Sequence, residues 1–319
     1  AAALGLPVVT AVPGWSGDLL ERLQWKAMPH STPFAHVVEN RSGIITVTED
    51  GIVFGNGMYD GRFNTDLKHD TNGVVRPYAL SLMHPAPRHV LMIGLSSGSW
   101  AQVIANNPEV DSLTVIEINP GYLALIAEQP EVASVLKNPK VTVVNDDGRR
   151  WLRANPDAHF DAIVSNTTWH YRANVTNLLS AEFLELARDH LNVGGIFFYN
   201  TTDSPRVQRT GCLIFAHGAR FTNHMVASEQ PIAWDFGRWR RTLESYRIDG
   251  KAQFDAAAEE DRAVLAKLMT WEQSLTSGST PGEERPIESC PDILAATAGI
   301  APVTDDNMGS EWLHSLGLE

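Results

Sequence analysis

Hydrophobic and polar positions follow two different rhythms along the chain. Residues 34–59 alternate apolar and polar side chains between glycines, which predicts a small antiparallel β-unit. From residue 90 onward, short continuous apolar runs are separated by segments with helical spacing. Apolar strands that alternate with helices form parallel sheets covered on both faces, so the expected fold class is α/β with the small β-unit in front.

The same pattern locates the individual elements. Strands are predicted at residues 90–94, 113–118, 141–144, 160–164 and 196–199. Helices are predicted at residues 17–28, 99–106, 121–136 (one or two), 180–190 and 256–275, with a further short helix that passes through Trp151 and Leu152. We expect Ser180 to cap the helix that follows it, and Gly194-Gly195 to end that segment before the next strand. Residues 277–287 are rich in Pro, Gly, Ser and Glu, which predicts an exposed loop.

Charge and cysteine content narrow the functional classes. The chain has 319 residues, a net charge of −13 and a pI of about 5.3, so its surface repels phosphate backbones and nucleic acid is not an expected partner. Cys212 and Cys290 form no C-x-x-C pair, and no metal is expected. Two cysteines make no disulfide framework, so a reducing, cytoplasmic compartment is the default, with a single disulfide left open.

The start of the chain leaves two interpretations open. It begins Ala1-Ala2-Ala3 without an initiator Met, and the sequence contains no run of about 18 apolar residues that would cross a bilayer. Either this is a processed end, or a membrane-embedded part precedes it. In the second case the chain is the cytoplasmic domain of a membrane-attached protein.

A glycine turn follows the first apolar strand. In Gly94-Leu95-Ser96-Ser97-Gly98, the first glycine permits a tight turn and the last lets a helix N-terminus approach a ligand closely. The stretch is not a full G-x-G-x-x-G, and its alternative role is purely structural. Open parallel sheets bind ligands at the carboxyl ends of their strands, so this turn marks the expected ligand-binding site of a Rossmann-like domain.

Acidic residues follow the next two strands. Glu117, 23 residues after Gly94, can accept hydrogen bonds from both hydroxyls of a ribose; the alternative is an exposed glutamate at a strand end. Asp146 and Asp147 precede Gly148, where an acid can accept from an adenine amino group or cap a helix. The absence of a phosphate-cradling triple glycine favours S-adenosyl ligands over NAD.

At these residues the sequence resembles the spermidine/spermine synthase family of aminopropyltransferases. The motifs that carry the resemblance are residues 84–94, 117–120, 147–148 and 160–164, and the likeness extends over about residues 30–230. The chain looks in particular like bacterial spermidine synthase-like proteins joined to a membrane transporter-like region. The resemblance implies a methyltransferase-type Rossmann-like fold, a homo-oligomer, and transfer of the aminopropyl arm of decarboxylated S-adenosylmethionine to an amine, with release of methylthioadenosine.

Three positions depart from the family pattern. Ser97 stands where the family has an aspartate that grips the aminopropyl amine, and Asn166 where it has the aspartate that accepts the attacking amine's proton. Asn72-Gly73-Val74 falls where a Tyr-His-Glu stretch shapes the amine site. An amide cannot take a proton. We therefore expect either intact or decarboxylated S-adenosylmethionine as the small-molecule substrate, and an acceptor that is not a long polycation.

Candidate replacements for the lost base lie near the strand ends. His170 titrates near neutrality, Trp169 and Tyr171 can wall a sulfonium through cation–π contact, and Asp203 can contact the arm, each with packing or a solvated loop as the alternative. The candidate residues are Asn166, His170, Tyr171 and Asp203 for catalysis; Gly94, Ser96, Ser97, Gly98, Glu117, Ile118, Asp146, Asp147, Gly148, Asn166 and Thr167 for nucleoside binding; and His69, Asp70 and Trp169 on the substrate side.

From the sequence we expect one of four functions and one division of the chain into segments. The functions are transfer of the C3 arm, an intramolecular cyclase or lyase reaction of S-adenosylmethionine itself, methyl transfer, and non-catalytic binding. The expected division is an N-terminal segment with a short helix (1–29), a small β-unit (30–65), a Rossmann-like nucleoside-binding domain (66–232) and a mostly helical C-terminal extension (233–319).

Overall fold

The computed structural model describes residues 18–26, 32–166, 169–172, 177–276 and 285–318. Within these residues the chain forms a four-stranded antiparallel sheet, an eight-stranded mixed sheet and a two-stranded hairpin, with helices on both faces of the mixed sheet. The α/β class with a separate small β-unit, expected from the sequence pattern, is confirmed.

The small sheet holds four strands in chain order. They are β1 (Phe34–Asn40), β2 (Gly43–Thr48), β3 (Ile52–Gly55) and β4 (Met58–Arg62), preceded by helix α1 (Leu19–Gln24). Asn56 and Gly57, both with positive φ, form the two-residue turn between β3 and β4, where glycine and asparagine are favoured. The alternating pattern therefore continues to Arg62, three residues beyond its predicted end.

The mixed sheet contains five strands that pair parallel with one another and three that pair antiparallel with their neighbours. The five parallel strands are β5 (His89–Ile93), β6 (Ser112–Glu117), β7 (Val141–Asn145), β8 (Phe160–Ser165) and β9 (Leu191–Asn200). The other three are β10 (His217–Phe221), β11 (His224–Ser228) and β14 (Ile287–Ser289): β11 pairs antiparallel with β9, β10 with β11, and β14 with β10. The order is β14-β10-β11-β9-β8-β5-β6-β7. The direction of winding changes between β5 and β8, so their carboxyl ends meet at the switch point where ligands bind in such sheets.

Helices connect the strands close to the predicted positions. They are α2 (Val75–Tyr78), α3 (Leu80–Met83), α4 (Ser99–Asn106), α5 (Gly121–Ala127), α6 (Gly148–Ala154), α7 (Ala181–Asp189), α8 (Pro205–Ile214), α9 (Phe236–Ser245), α10 (Glu259–Met269), α11 (Cys290–Ala296) and α12 (Glu311–Ser315), with 3-10 turns at Ala133–Lys137 and Thr270–Leu275 and a small hairpin, β12 (Arg247–Ile248) and β13 (Lys251–Ala252). Ser180 caps α7 by accepting from the Phe183 N–H. Among the described residues, the helices are all too short or too polar to cross a bilayer.

The glycine pair at 194–195 does not end a segment as predicted but lies inside β9. Gly194 has φ +79°, and the pairing of β9 with β8 shifts register between Phe160 and Ala162. A Cβ on Gly195 would lie 3.0 Å from the Phe160 carbonyl oxygen. The two glycines therefore make a bulge that lets the strand continue, because the backbone conformation and the close approach exclude larger residues.

The C-terminal residues add a strand to the main sheet, which the sequence pattern did not predict. Ile287, placed in an exposed loop by composition, is 2% exposed and pairs with Phe221 of β10; residues 277–284 of that loop lie outside the described part. This pairing brings Cys290 to Cys212, and the two form the single disulfide that the cysteine count left open. The four-segment division of the chain stays a prediction.

A buried ion pair fastens the far end of the chain to α6. The Asp305 carboxylate accepts from Arg149 Nη1 at 2.7 Å and Nη2 at 2.5 Å, and from the Ser180 hydroxyl at 2.7 Å. Arg149 is 8% exposed, so the pair is shielded from solvent on the arginine side. Asp305 thus has a structural role next to the carboxyl edge of the sheet.

Candidate functional site

The glycine turn after β5 carries three residues in the left-handed region. Gly94 has φ +89°, Ser96 φ +51° and Gly98 φ +78°. A Cβ on Gly98 would lie 3.0 Å from Ile126 Cδ1, so glycine there permits the close approach of α4 to α5. Ser96 holds the same conformation with a side chain, at a cost of about 1 kcal/mol or more. Its hydroxyl donates to the Asp60 carbonyl, which joins the turn to β4 of the small sheet.

Glu117 is buried at the carboxyl end of β6, which excludes the exposed strand-end alternative. The residue is 4% exposed, and its two carboxylate oxygens accept from the Leu95 N–H at 2.6 Å and the Asn119 N–H at 2.7 Å. Burial raises the pKa of Glu117, and hydrogen bonds from backbone N–H groups oppose that rise. A carboxylate has about four acceptor positions, so each oxygen keeps capacity for one ribose hydroxyl. Ile118, next to it, is 57% exposed at the same edge.

The acids after β7 lie directly beside Glu117. Asn145 pairs with Glu117 in the parallel register, and the Asp146 N–H donates to the Glu117 carbonyl at 3.1 Å. Asp147 caps α6 by accepting from the Arg150 N–H at 2.8 Å. Asp146 accepts from the Arg150 guanidinium at 2.5 Å. The capping role is therefore present, and a purine at this edge would meet the Asp146–Arg150 pair.

Gly148 brings the start of α6 against the end of β5. A Cβ at this position would lie only 2.5 Å from Ile93 Cγ2. Since real Cβ atoms do not approach that closely, the helix can reach the strand tip only with glycine here. The glycine turn, the Glu117 carboxylate and the start of α6 thus occupy one edge of the sheet.

A hollow lies between β4 of the small sheet and the glycine turn. Its lining consists of Asp60, Gly61, Asn72, Met92, Leu95, Ser96, Ser97, Trp100 and Asn166. A Cβ on Gly61 would lie 3.1 Å from both Asn72 Oδ1 and Ser97 Oγ, so glycine keeps the floor open. The hollow has a volume of about 10 Å³, which is roughly the space that one water molecule needs. A wider cleft of about 320 Å³, beside Asp50 and Arg62, is lined by none of the candidate residues.

Asp60 is a residue of this hollow that the sequence patterns missed. Its carboxyl group accepts from the Tyr122 hydroxyl and lies between the two sheets. Burial, together with the smaller effect of the Glu117 charge and against the opposing effect of the Tyr122 hydroxyl, raises the pKa of Asp60 to about 7. The only sequence signal was an Asp-Gly pair inside a strand that alternates in polarity.

The carboxyl end of β8 presents amides rather than acids. Asn166 Oδ1 accepts from Asn200 Nδ2 at 2.8 Å, and the Asn166 carbonyl oxygen lies 3.6 Å from where a Cβ on Gly94 would be. Ser97, on the facing turn, is 2% exposed and lies 3.2 Å from the Ser99 hydroxyl. Thr167, predicted to bind the nucleoside, lies outside the described residues.

The aromatic residues after β8 stack on the C-terminal helix α12. The Tyr171 ring lies 3.8 Å from the His314 ring and 5.5 Å from the Trp169 ring, centroid to centroid. His170 is 6% exposed, and burial, with smaller effects of Arg206 and His314, lowers its pKa to about 4. The imidazole is therefore neutral at pH 7.

The substrate-side candidates are engaged with neighbouring groups. His69 lies 2.9 Å from Asp66 and 3.4 Å from Glu260 through its two ring nitrogens. Asp70 accepts from the backbone N–H groups of residues 72, 74 and 75 at 3.0, 2.9 and 3.1 Å. Asp203 is exposed at the carboxyl end of β9 with φ +55°. Within the described part of the chain, no group of three or more His, Cys, Asp or Glu side chains is placed to hold a metal.

Comparison with known proteins shows which family this chain is similar to. Residues 79–213 match the spermine/spermidine synthase domain. The chain is 31% identical over 118 residues to a polyamine aminopropyltransferase of Streptococcus uberis, covering 37% of this chain and 41% of that protein. It is 33% identical over 127 residues to one of Mycobacterium tuberculosis, covering 37% of this chain and 24% of that protein. The chain thus spans less than half the length of these curated relatives.

Solved structures show the same fold. A spermidine synthase in complex with the transition state analogue AdoDATO superimposes with a TM-score of 0.52 at 14% identity, covering 74% of this chain and 84% of that one. The spermidine synthase of Thermotoga maritima gives a TM-score of 0.53 at 14% identity, with the same coverage. The match of the spermine/spermidine synthase model over residues 79–213 confirms the family resemblance seen in the motifs, and the solved structures share the fold.

Proposed function

We propose that the chain is an enzyme that binds a sulfonium nucleoside of the S-adenosylmethionine type and transfers its C3 arm, releasing methylthioadenosine. The observation that carries the proposal is Glu117, a buried carboxylate held by two backbone N–H groups at the carboxyl end of β6, next to the glycine turn that follows β5. A buried carboxylate is unfavourable unless it is hydrogen-bonded, and this one keeps acceptor capacity for a ribose. Asp146 lies beside it, where the purine would follow.

The proposal places the arm next to the hollow beyond the glycine turn, because polar neutral side chains are grouped there. A nucleophile's lone pair attacks the carbon next to sulfur, the carbon–sulfur bond breaks, and its electron pair stays on sulfur as the neutral thioether of methylthioadenosine. The hydroxyls of Ser96 and Ser97 and the amides of Asn72 and Asn166 are grouped there. The protein's main contribution would be alignment of nucleophile, carbon and sulfur, since proximity supplies much of the acceleration in such reactions.

Removal of the acceptor's proton separates two versions of this chemistry. An attacking amine must lose a proton, and the Asn166 amide at the strand tip cannot take one. His170 is neutral, but burial makes it a weak base. If the substrate's own carboxylate attacks the arm instead, a lactone and methylthioadenosine form and no proton has to be removed. The neutral lining at Ser97 and Asn166 favours this intramolecular reaction as the second candidate.

Product analysis tests the proposal. The purified chain is incubated with intact or decarboxylated S-adenosylmethionine, first alone and then with amines, and the nucleoside product is identified by chromatography. Methylthioadenosine without an amine indicates the cyclase or lyase reaction, and methylthioadenosine only with an amine indicates transfer. S-adenosylhomocysteine would show methyl transfer, and binding without turnover would show a non-catalytic module; either result refutes the proposal.

A matched pair of variants links the product to the site. Glu117→Gln removes one acceptor oxygen and the charge, so methylthioadenosine should bind about 10-fold or more weakly, as expected when a charge-assisted hydrogen bond is lost. Glu128→Gln changes an exposed glutamate after α5 and should leave binding unchanged. Equal affinities of the two variants would contradict the assignment of the ribose site.

The assembly of the protein also stays a proposal. The family resemblance leads us to propose a homo-oligomer, located in the cytoplasm or attached to a membrane region on its cytoplasmic side. Light scattering of the purified chain would show a mass above 35.0 kDa if copies associate.

A further inference from the structure

The guanidinium of Arg76 lies beside the hollow, on an aromatic ring that lines it. Arg76, in helix α2, places its Cζ 5.9 Å from the centre of the Trp100 ring, and Trp100 is part of the lining. Gly73 leaves room for the Arg76 guanidinium, because a Cβ on Gly73 would lie 2.3 Å from Arg76 Nη1. Gly73 has φ +62°, which also favours glycine.

This half-buried charge has no carboxylate partner among the described residues. None of the carboxylate oxygens there lies within 4.0 Å of its guanidinium, and its hydrogen bond to the Thr222 hydroxyl is long, at 3.4 Å. Burial lowers the pKa of Arg76, and the nearby charges of Asp70 and Asp203 oppose that effect. Asp70 directs its oxygens to backbone N–H groups. A guanidinium can hold a carboxylate through two parallel N–H···O hydrogen bonds. The carboxylates of the described residues form no such pair of bonds with Arg76.

The other groups that connect Arg76 to the strand tips are neutral. The His224 ring lies 5.1 Å from Trp100, and burial together with the charge of Arg76 keeps the pKa of His224 well below its usual value. Asn200 pairs with His224 across the sheet and donates to Asn166, which lines the hollow. Within the described part of the chain, the end of the hollow nearest Arg76 therefore has a positive charge and no carboxylate within 4.0 Å of it, and the charges of Asp70 and Asp203 act on it only from a greater distance.

We infer that Arg76 binds a carboxylate of the substrate, either the α-carboxylate of intact S-adenosylmethionine or a carboxylate on the acceptor. The inference rests on the proposed function, because it assigns a group to the same site. A guanidinium at this position attracts a carboxylate and repels a polyammonium chain. The substrate class is thus an amino acid or an amino-acid-bearing nucleoside rather than a polyamine.

Two matched ligand pairs test the inference, each differing by one carboxylate. Intact and decarboxylated S-adenosylmethionine form the nucleoside pair, and ornithine and putrescine form the acceptor pair. Affinities for the nucleosides are measured by calorimetry, and KM and kcat for the acceptors by methylthioadenosine release. The wild type should prefer the carboxylate-bearing member of at least one pair. Arg76→Gln should reduce that preference by about 10- to 100-fold, and Arg76→Lys should restore part of it.

The control separates this effect from a general loss of structure. Arg240→Gln removes an exposed guanidinium paired with Glu244 on α9 and should change neither preference. Methylthioadenosine lacks the carboxylate, so Arg76→Gln should bind it with wild-type affinity. A loss confined to the nucleoside pair assigns the carboxylate to the arm, and a loss confined to the acceptor pair assigns it to the acceptor.

Three results would overturn the inference. If the wild type prefers the decarboxylated member of both pairs, or if Arg76→Gln leaves the preference unchanged, Arg76 does not bind a substrate carboxylate while the proposed function stands. If the wild type binds no methylthioadenosine at all, the proposed function fails, and the inference fails with it.

Discussion

Replacement of Asp60 by Asn should remove a pH-dependent instability of the folded protein. The carboxyl group of Asp60 accepts from the Tyr122 hydroxyl between the two sheets and lies close to the buried charge of Glu117. Burial and this like charge raise its pKa from 3.8 to about 7. An asparagine keeps the shape and the acceptor oxygen of the side chain but cannot ionise.

The sign and size of the effect follow from proton linkage. At pH values between 3.8 and about 7, the folded state keeps a proton that the unfolded chain has lost, so the free energy of unfolding falls as pH rises. The stability that the retained proton contributes is fully present below pH 3.8, the pKa of the group in the unfolded chain. It is lost as the pH rises through about 7, the pKa in the folded protein. Each pKa unit corresponds to about 1.4 kcal/mol, so the whole effect is about 4 kcal/mol, of which about 2 to 3 kcal/mol falls between about pH 5 and pH 8.

Urea unfolding at a series of pH values measures this contribution directly. The difference in free energy of unfolding between the wild type and Asp60→Asn should shift in favour of the variant by about 2 to 3 kcal/mol from about pH 5 to pH 8. Asp189→Asn, at an exposed position on α7, provides the control and should give a nearly constant difference. A constant difference for Asp60→Asn as well would refute the argument that burial and Glu117 hold a proton on Asp60.

Two further predictions concern stability. Gly148→Val should lower the free energy of unfolding by about 1 to 3 kcal/mol, because its Cβ would lie 2.5 Å from Ile93 Cγ2; an unchanged thermal midpoint would show that α6 does not approach β5 so closely. Replacement of Cys212 and Cys290 by Ser should lower it by about 4 kcal/mol, because the disulfide closes a loop of 78 residues. Equal urea midpoints for the wild type with and without reductant would contradict that disulfide.

The sequence predicted those parts of the fold that depend on neighbouring residues. The apolar runs at 90–94 and 160–164 became β5 and β8, and Ser180 caps α7, because strand burial and helix capping are decided within a few residues. Ile287 was misplaced because its burial depends on pairing with Phe221, far away in the chain. Composition describes only the local segment, so it cannot show a strand that is stabilised by a distant edge.

The residues of the candidate site likewise fall into those that local sequence could predict and those that it could not. Gly94 and Glu117 could be predicted because a parallel sheet brings the carboxyl ends of its strands to one edge. Asp60 and Arg76 could not, since each approaches the site from an element outside the parallel strands, and no spacing along the sequence encodes that approach. His69 also depends on a distant residue, Glu260, which the local sequence does not reveal.

The charge around the hollow connects the departures from the family pattern into one argument. The resemblance places carboxylates at the positions of Ser97 and Asn166, where they would attract an ammonium, and this chain has neutral groups at both. Arg76 adds a positive charge beside them. A unit charge about 5 Å away contributes about 3 kcal/mol at the effective dielectric of partly buried sites. On the inference drawn for Arg76, the two lost attractions and the one new repulsion each weaken the binding of a polyamine, and each change favours a substrate that carries a carboxylate.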